Sequence, residues 1–230
     1  MASSRPARQR DLTFKAVIFD CDGVLVDSEK LALEVELEVL AELGLTFERD
    51  EYVLRFMGLS TDAFHAAIDE EAVARLGRPI ATEVRGSQRL RAVMVAHLTE
   101  VPGAAEAVMG LRLPKAIASS GSMPGMERKL KQTGLWDYFT PHVYSADHVT
   151  HAKPAPDLFL HAAAALGVAP TDCLVLEDSV NGVIGARAAG MTVWGFLGGG
   201  HAHGRLGARL VEVGAERLVP DWPEAARLLA

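Results

Sequence analysis

Two aspartates, Asp20 and Asp22, close an apolar run in AVIFDCDGVLVDS, and Gly23 follows them directly. A carboxylate can serve as nucleophile, proton carrier or ligand to a hard cation, and two together can divide those roles. On an extended chain, residues two apart project to one side at roughly 7 Å, from about 3.3 Å of rise per residue. The bland alternative is a turn or capping acid, common for a single Asp after a strand. Two acids and a Gly after a wholly apolar run make that alternative the weaker one. A second acidic pair, Glu177-Asp178, ends LVLED. Clustered carboxylates repel unless a cation sits among them, and oxygen ligands of this kind suit Mg²⁺. For Asp178, capping a helix that begins near Ser179 is an equal alternative.

Two further strand ends carry groups suited to an anion. Ser119-Ser120-Gly121 ends KAIASS. Hydroxyls and backbone N–H groups at a helix start can cradle a phosphate, although Ser-Ser-Gly alone is ordinary loop chemistry. Lys153, in HAKPAPD, is the remaining cation. A lone Lys is ordinarily a solvated surface charge, but Pro154 and Pro156 restrict the backbone here, which suits a side chain that must be aimed.

The elements that must position these residues read as alternating strand and helix. Continuous apolar runs at 15–20, 115–120, 142–147, 173–178 and 192–196 are expected to be strands covered on both faces. From the second onward, helical stretches separate them: GMERKLKQTG, APDLFLHAAAALG and SVNGVIGARAAG, the last two closing on a Gly. That rhythm implies an α/β fold with a doubly wound, Rossmann-like parallel sheet. Between Asp20 and Ser119 the chain is far longer than a βαβ crossover needs, so a helical cap is expected as an insert. The organisation expected is a core of 12–28 and 98–230, a helical cap over 29–97, and a disordered tail over 1–11. Within the cap, LEVELEVL alternates as a strand would. Its Leu and Glu content, Ser28 as an N-cap and Gly44 as a stop predict a helix instead.

Composition bounds the function classes. The 230 residues carry a formal net charge of −7, which excludes the basic face that general nucleic-acid binding needs. No apolar run approaches the roughly 20 residues of a membrane span, so no membrane partner is expected. With Cys21 and Cys173 the only two cysteines, a reducing cytoplasm is the expected compartment. Cys21 reads as inert packing. The Gly-rich 198–204 segment reads as a loop, mobile near the site mouth; His201 and His203 have ligand-like spacing but lack a third ligand.

The four pieces DCDGVLVDS, Ser119, HAKPAPDLF and LEDSVNGVIGARAAGM, in this order and each at a strand end, resemble the haloacid dehalogenase superfamily. The resemblance is closest to its phosphatases with an inserted helical cap, the group that includes beta-phosphoglucomutase. It implies that Asp20 is the nucleophile forming an aspartyl-phosphate and that Asp22 is the acid–base group. It implies Mg²⁺ held by Asp20, the Asp22 carbonyl and Asp178, and phosphoryl oxygens held by Ser119, Ser120 and Lys153. Glu177 is implied either as a metal ligand or as a partner behind one, and Gly182 and Gly185 as packing residues. The dehalogenases of the superfamily lack the acid matching Asp22, which favours phosphoryl transfer. Beta-phosphoglucomutases carry cationic cap groups where this chain has Ala32, Met57 and Thr61 around Gly58, which favours a monophosphate hydrolase over a phosphosugar mutase. A small phosphorylated metabolite is the expected partner, and a monomer or weak homodimer the expected state. A phospho-accepting receiver domain, the non-enzymatic alternative, would place its acceptor after the third strand and have no insert.

Overall fold

The structure is a computed structural model describing residues 14–85, 87–202 and 204–230; the expected tail over 1–11 and His203 lie outside the described residues. Six parallel strands, β1 (Ala16–Phe19), β2 (Lys115–Ser119), β3 (Val143–Ser145), β4 (Cys173–Glu177), β5 (Thr192–Phe196) and β6 (Arg217–Val219), form one sheet in the order β3-β2-β1-β4-β5-β6. The five strands read from the sequence are present. The sixth is added at the edge, where Arg217 and Leu218 remain partly exposed and a three-residue run carries little pattern.

Side-chain alternation explains why the runs are apolar throughout. Ala16, Ile18, Ala118 and Val175 face one side of the sheet, where they join α9 (Asp157–Leu166), α10 (Val180–Ala188) and α11 (Leu206–Glu212). Val17, Phe19, Ile117 and Leu176 face the other, against α6 (Ala104–Gly110), α7 (Met123–Gln132), α8 (Trp136–Phe139) and α12 (Trp222–Leu229). Strands buried on both faces need apolar side chains at every position, and burying each one fully contributes about 1.5–3 kcal/mol.

Between β1 and α6 lie α1 (Ser28–Glu42), α2 (Arg49–Phe56), α3 (Thr61–Leu76), α4 (Ala81–Arg85) and α5 (Gln88–His97). LEVELEVL lies within α1, where Leu33, Val35, Glu36, Val39 and Leu40 are buried, a helical spacing. Glu36 tolerates burial because the Tyr52 hydroxyl donates to it at 2.7 Å. Gly44, at φ 93°, ends the helix as expected, but Ser28 is not its N-cap: Asp27 holds that position and the Ser28 hydroxyl turns to Asp22.

Candidate active site

Strand order reverses between β1 and β4, so a crevice opens beyond their carboxyl ends, where ligands bind in open α/β sheets. Asp20 follows β1 into it, and Glu177 and Asp178 end and follow β4. Asp20 and Asp22 do not lie on an extended chain as the spacing reading supposed. The strand stops at Phe19, and Leu25 and Val26 both donate to the Cys21 carbonyl at 3.0 Å, folding the segment into a turn. Gly23 permits that turn at φ 82°, and a Cβ there would strike the Asp178 carboxylate.

Lys153 is buried and reaches Asp20 Oδ1 at 2.5 Å and Glu177 Oε1 at 2.6 Å. Glu177 Oε2 accepts from the Ser179 N–H at 2.7 Å and its hydroxyl at 3.0 Å. Both Glu177 oxygens are thus engaged inside the protein. Gly182 leaves no room for a Cβ against that carboxylate, whereas Gly185 packs against the backbone of Pro154 and Ala155. Ser179, not Asp178, caps α10, its Oγ accepting from the Gly182 N–H at 3.0 Å. The capping alternative for Asp178 falls away.

Electrostatics mark the crevice as short of positive charge. Burial pushes the Asp20 carboxyl up to about 7; Lys153 opposes this, and Glu177 and Asp22 reinforce it. Burial, then repulsion from Glu177 and Asp20, holds Asp178 well above the carboxylate range. Burial works to lower the Lys153 ammonium, but Asp20 and Glu177 outweigh it and raise it. The Cys21 thiol is raised by burial, as an inert packing residue would be.

Ser119 is buried at the end of β2, its Oγ accepting from the Gly121 N–H at 3.2 Å, and Ser120 Oγ has no hydrogen-bond partner among the described residues. Asp22 Oδ1 accepts from the Ser28 hydroxyl and from Lys129 of α7. The sequence reading missed Lys129, since one Lys in a basic, amphipathic helix has no local signal. It also read His201 as part of a mobile loop. His201 is instead buried, with Nε2 3.2 Å from Asp178 Oδ2, and the Gly200 N–H anchors its loop to Asp27 Oδ1 at 2.9 Å.

A family model described as "haloacid dehalogenase-like hydrolase" matches residues 14–190. The chain belongs to the haloacid dehalogenase-like hydrolases. Hexitol phosphatase B of Escherichia coli is 36% identical over 183 residues, 76% of this chain and 80% of that protein. The 6-phosphogluconate phosphatase of Escherichia coli is 29% identical over 187 residues, 81% and 84% of the two chains. Among solved structures, a haloacid dehalogenase-like protein of unknown function from Agrobacterium tumefaciens superposes with a TM-score of 0.83 at 35% identity, covering 94% of this chain and 97% of that one. A HAD family hydrolase from Deinococcus radiodurans, with bound phosphate and sodium, gives 0.74 at 36% identity over 96% and 99%. With phosphatases among its relatives, this hydrolase is a phosphomonoester hydrolase.

The hydrolase has a cavity of about 330 Å³ between α2, α3 and the start of α10, with Glu29, Arg55, Leu59, Asn181 and His201 on its wall beside Asp178. Gly58, at φ 73°, abuts Ser179, and a Cβ there would collide with it. Met57 is buried in the apolar cluster and Thr61 opens α3. Arg55 is held by Glu51 at 2.6 Å and Glu71 at 2.5 Å, with its guanidinium 4.8 Å over the Phe56 ring.

The donor set for a cation can be tested on the same residues. Among the described residues, no three His, Cys, Asp or Glu side chains gather closely enough to hold a metal by themselves. Asp178 Oδ2 is nevertheless buried with no hydrogen bond among the described residues, although His201 Nε2 lies 3.2 Å from it, and the neighbouring Asp20 stays raised by burial in spite of its Lys153 partner. Two carboxylates and a backbone carbonyl fit Mg²⁺, which keeps several waters and seldom uses an all-protein cage.

Proposed function

We propose that this hydrolase cleaves the phosphomonoester of a small phosphorylated sugar or polyol, with Mg²⁺, through a phosphoryl group carried on Asp20. The observation that carries the reading is the buried Asp20 carboxylate at the strand-order reversal, gripped by Lys153 at 2.5 Å and crowded by Asp178 and Glu177. Asp20 attacks phosphorus as the ester P–O bond breaks, and Asp22 gives a proton to the departing alcohol oxygen. Asp22 then takes a proton from water, whose oxygen attacks the phosphorus and frees Asp20. Ser119, Ser120 and Lys153 hold the phosphoryl oxygens, and Glu177 aims Lys153. Asp20, Asp178 and the Asp22 carbonyl would hold Mg²⁺, which supplies charge neutralisation on the phosphoryl oxygens. The substrate class is supported by the relatives named for hexitol and 6-phosphogluconate. Against the mutase alternative, Ala32, Met57 and Thr61 carry no cation for a second phosphate, and Arg55, a cation on the cavity wall, is already paired with Glu51 and Glu71.

Purified protein is expected to release phosphate from p-nitrophenyl phosphate and from some members of a sugar and polyol phosphate panel. EDTA should stop the release and added Mg²⁺ restore it. Absence of metal-dependent release across the panel would overturn the reading; interconversion of hexose phosphates without net release would favour the mutase.

Metal affinity should depend on pH with a definite sign. The Asp20 carboxyl titrates at about 7 in the metal-free protein, so below that pH a proton occupies a proposed ligand. Mg²⁺ affinity should fall as pH drops from 8 to 6, with protons released on binding, read by calorimetry in buffers of different ionisation enthalpy. Equal affinity at both pH values would remove Asp20 from the ligand set.

Cys21 and Cys173 are buried free thiols, which suits a reducing compartment and supports the cytoplasmic assignment. Among the described residues no helix is long and apolar enough to cross a membrane. A monomer or weak homodimer without a nucleic-acid partner completes the proposal.

A further inference from the structure

We propose that Lys129 is a positioning residue for the reaction: it pins one oxygen of the Asp22 carboxylate to α7 so that the other faces the phosphate-binding end of β2. The inference rests on the reading above, in which Asp22 protonates the leaving alcohol.

Four observations carry it. Asp22 Oδ1 accepts from both Lys129 Nζ and Ser28 Oγ, so one oxygen bears both anchors. The second oxygen lies toward Gly121, where a Cβ would sit 3.6 Å from Asp22 Oδ2 and 3.5 Å from Ser119 Oγ. Proton carrier and phosphate-binding hydroxyl therefore share one small volume. The third observation is the ion pair's setting. The side chains of Lys129 and Asp22 are 25% and 16% exposed, so water screens the pair less than it does Lys131 and Glu127 on the same helix, at 55% and 41%.

The fourth is where the anchors come from. Ser28 opens α1, so its hold on Asp22 depends on where that helix sits. Lys129 belongs to α7, which packs on the sheet through Met126 and Leu130, so its hold is built into the core. A proton carrier must stay within hydrogen-bond reach of the leaving oxygen, and small displacements cost rate steeply. A Lys reaching across 107 residues of sequence to one oxygen of that carrier meets the need.

Leaving-group dependence separates positioning from a mere structural tie. Benzyl phosphate releases an alkoxide that needs a proton, whereas p-nitrophenyl phosphate releases a weakly basic phenolate that does not. kcat/KM reports the steps up to departure of the alcohol. Lys129→Met is expected to lower kcat/KM for benzyl phosphate by about tenfold to a hundredfold. For p-nitrophenyl phosphate it should change less than about twofold, since that departure draws on no acid. Lys129→Arg should recover most of the benzyl rate, and Lys131→Met should match wild type on both substrates. An equal fall on both substrates, or no fall on either, overturns the inference while leaving the phosphatase reading intact. Failure of the wild-type enzyme on both substrates would overturn the phosphatase reading and this inference with it.

Discussion

Asp20→Asn is expected to lower phosphate release by at least about a thousandfold, the scale of losing a nucleophile, while leaving the fold intact. Asn keeps the size of Asp and can still accept from Lys153, so β1 and its turn have no steric reason to move. What goes is the attacking oxygen's charge. Stability should not suffer, because the carboxylate is itself under strain. Its folded pKa, about 7, lies above the value of 3.8 that it has when exposed, so the folded protein holds the proton more tightly than the unfolded chain. An acid raised in this way contributes stability at low pH and loses it as pH climbs from about 4 to about 7. In metal-free protein, the melting temperature of Asp20→Asn relative to wild type should therefore be more favourable at pH 8 than at pH 5. Retention of more than a few per cent of the activity would remove Asp20 as nucleophile. A fold that collapses would show instead that its charge holds the crevice together.

Lys153→Met should be the most destabilising change at the site. The Lys153 side chain is 1% exposed, and its partners Asp20 and Glu177 are 10% and 0% exposed. Removing the cation leaves two buried carboxylates facing each other with Asp178 alongside, and breaking a buried pair from one side costs about 3–5 kcal/mol. Urea unfolding in EDTA at neutral pH should show a lower midpoint with an unchanged slope. Activity should vanish as well, since a phosphoryl oxygen loses its cation. Added Mg²⁺ should recover part of the stability without recovering activity, because a cation among the acids relieves repulsion but cannot replace the ammonium at the phosphoryl group. Unchanged stability would mean that Glu177 and Asp20 find other partners, and the ranking of contacts around Lys153 would have to be redrawn.

The legibility of this protein follows from where each residue sits. β1, β2, β4 and β5 were readable because a parallel sheet buries both faces, so each strand appears as a continuous apolar run. Asp20, Ser119, Ser120, Lys153, Glu177 and Asp178 were readable because each lies at or beyond a strand's carboxyl end, and a doubly wound sheet gathers those ends at one edge. The helix of LEVELEVL needed composition to overrule its alternation, and the Tyr52 hydroxyl bonds the Glu36 carboxylate buried inside it. β6 escaped because a three-residue strand at the sheet edge, with two of its residues partly exposed, carries no such pattern.

The sequence by itself determined the carboxylates after β1 and β4, the serines and lysine opposite them, and hence the family. Tertiary structure alone decided how those groups are held. Ser28 bonds Asp22 instead of capping α1, and Ser179 caps α10 in place of Asp178. Glu177 turns both oxygens inward to Lys153 and Ser179, His201 is folded against Asp178, and Lys129 crosses from α7 to Asp22. The physical reason is the range of each signal. Burial writes a local period into a strand, which one chain segment displays. A hydrogen bond between residues 107 positions apart leaves no trace in either neighbourhood until the sheet brings the two together.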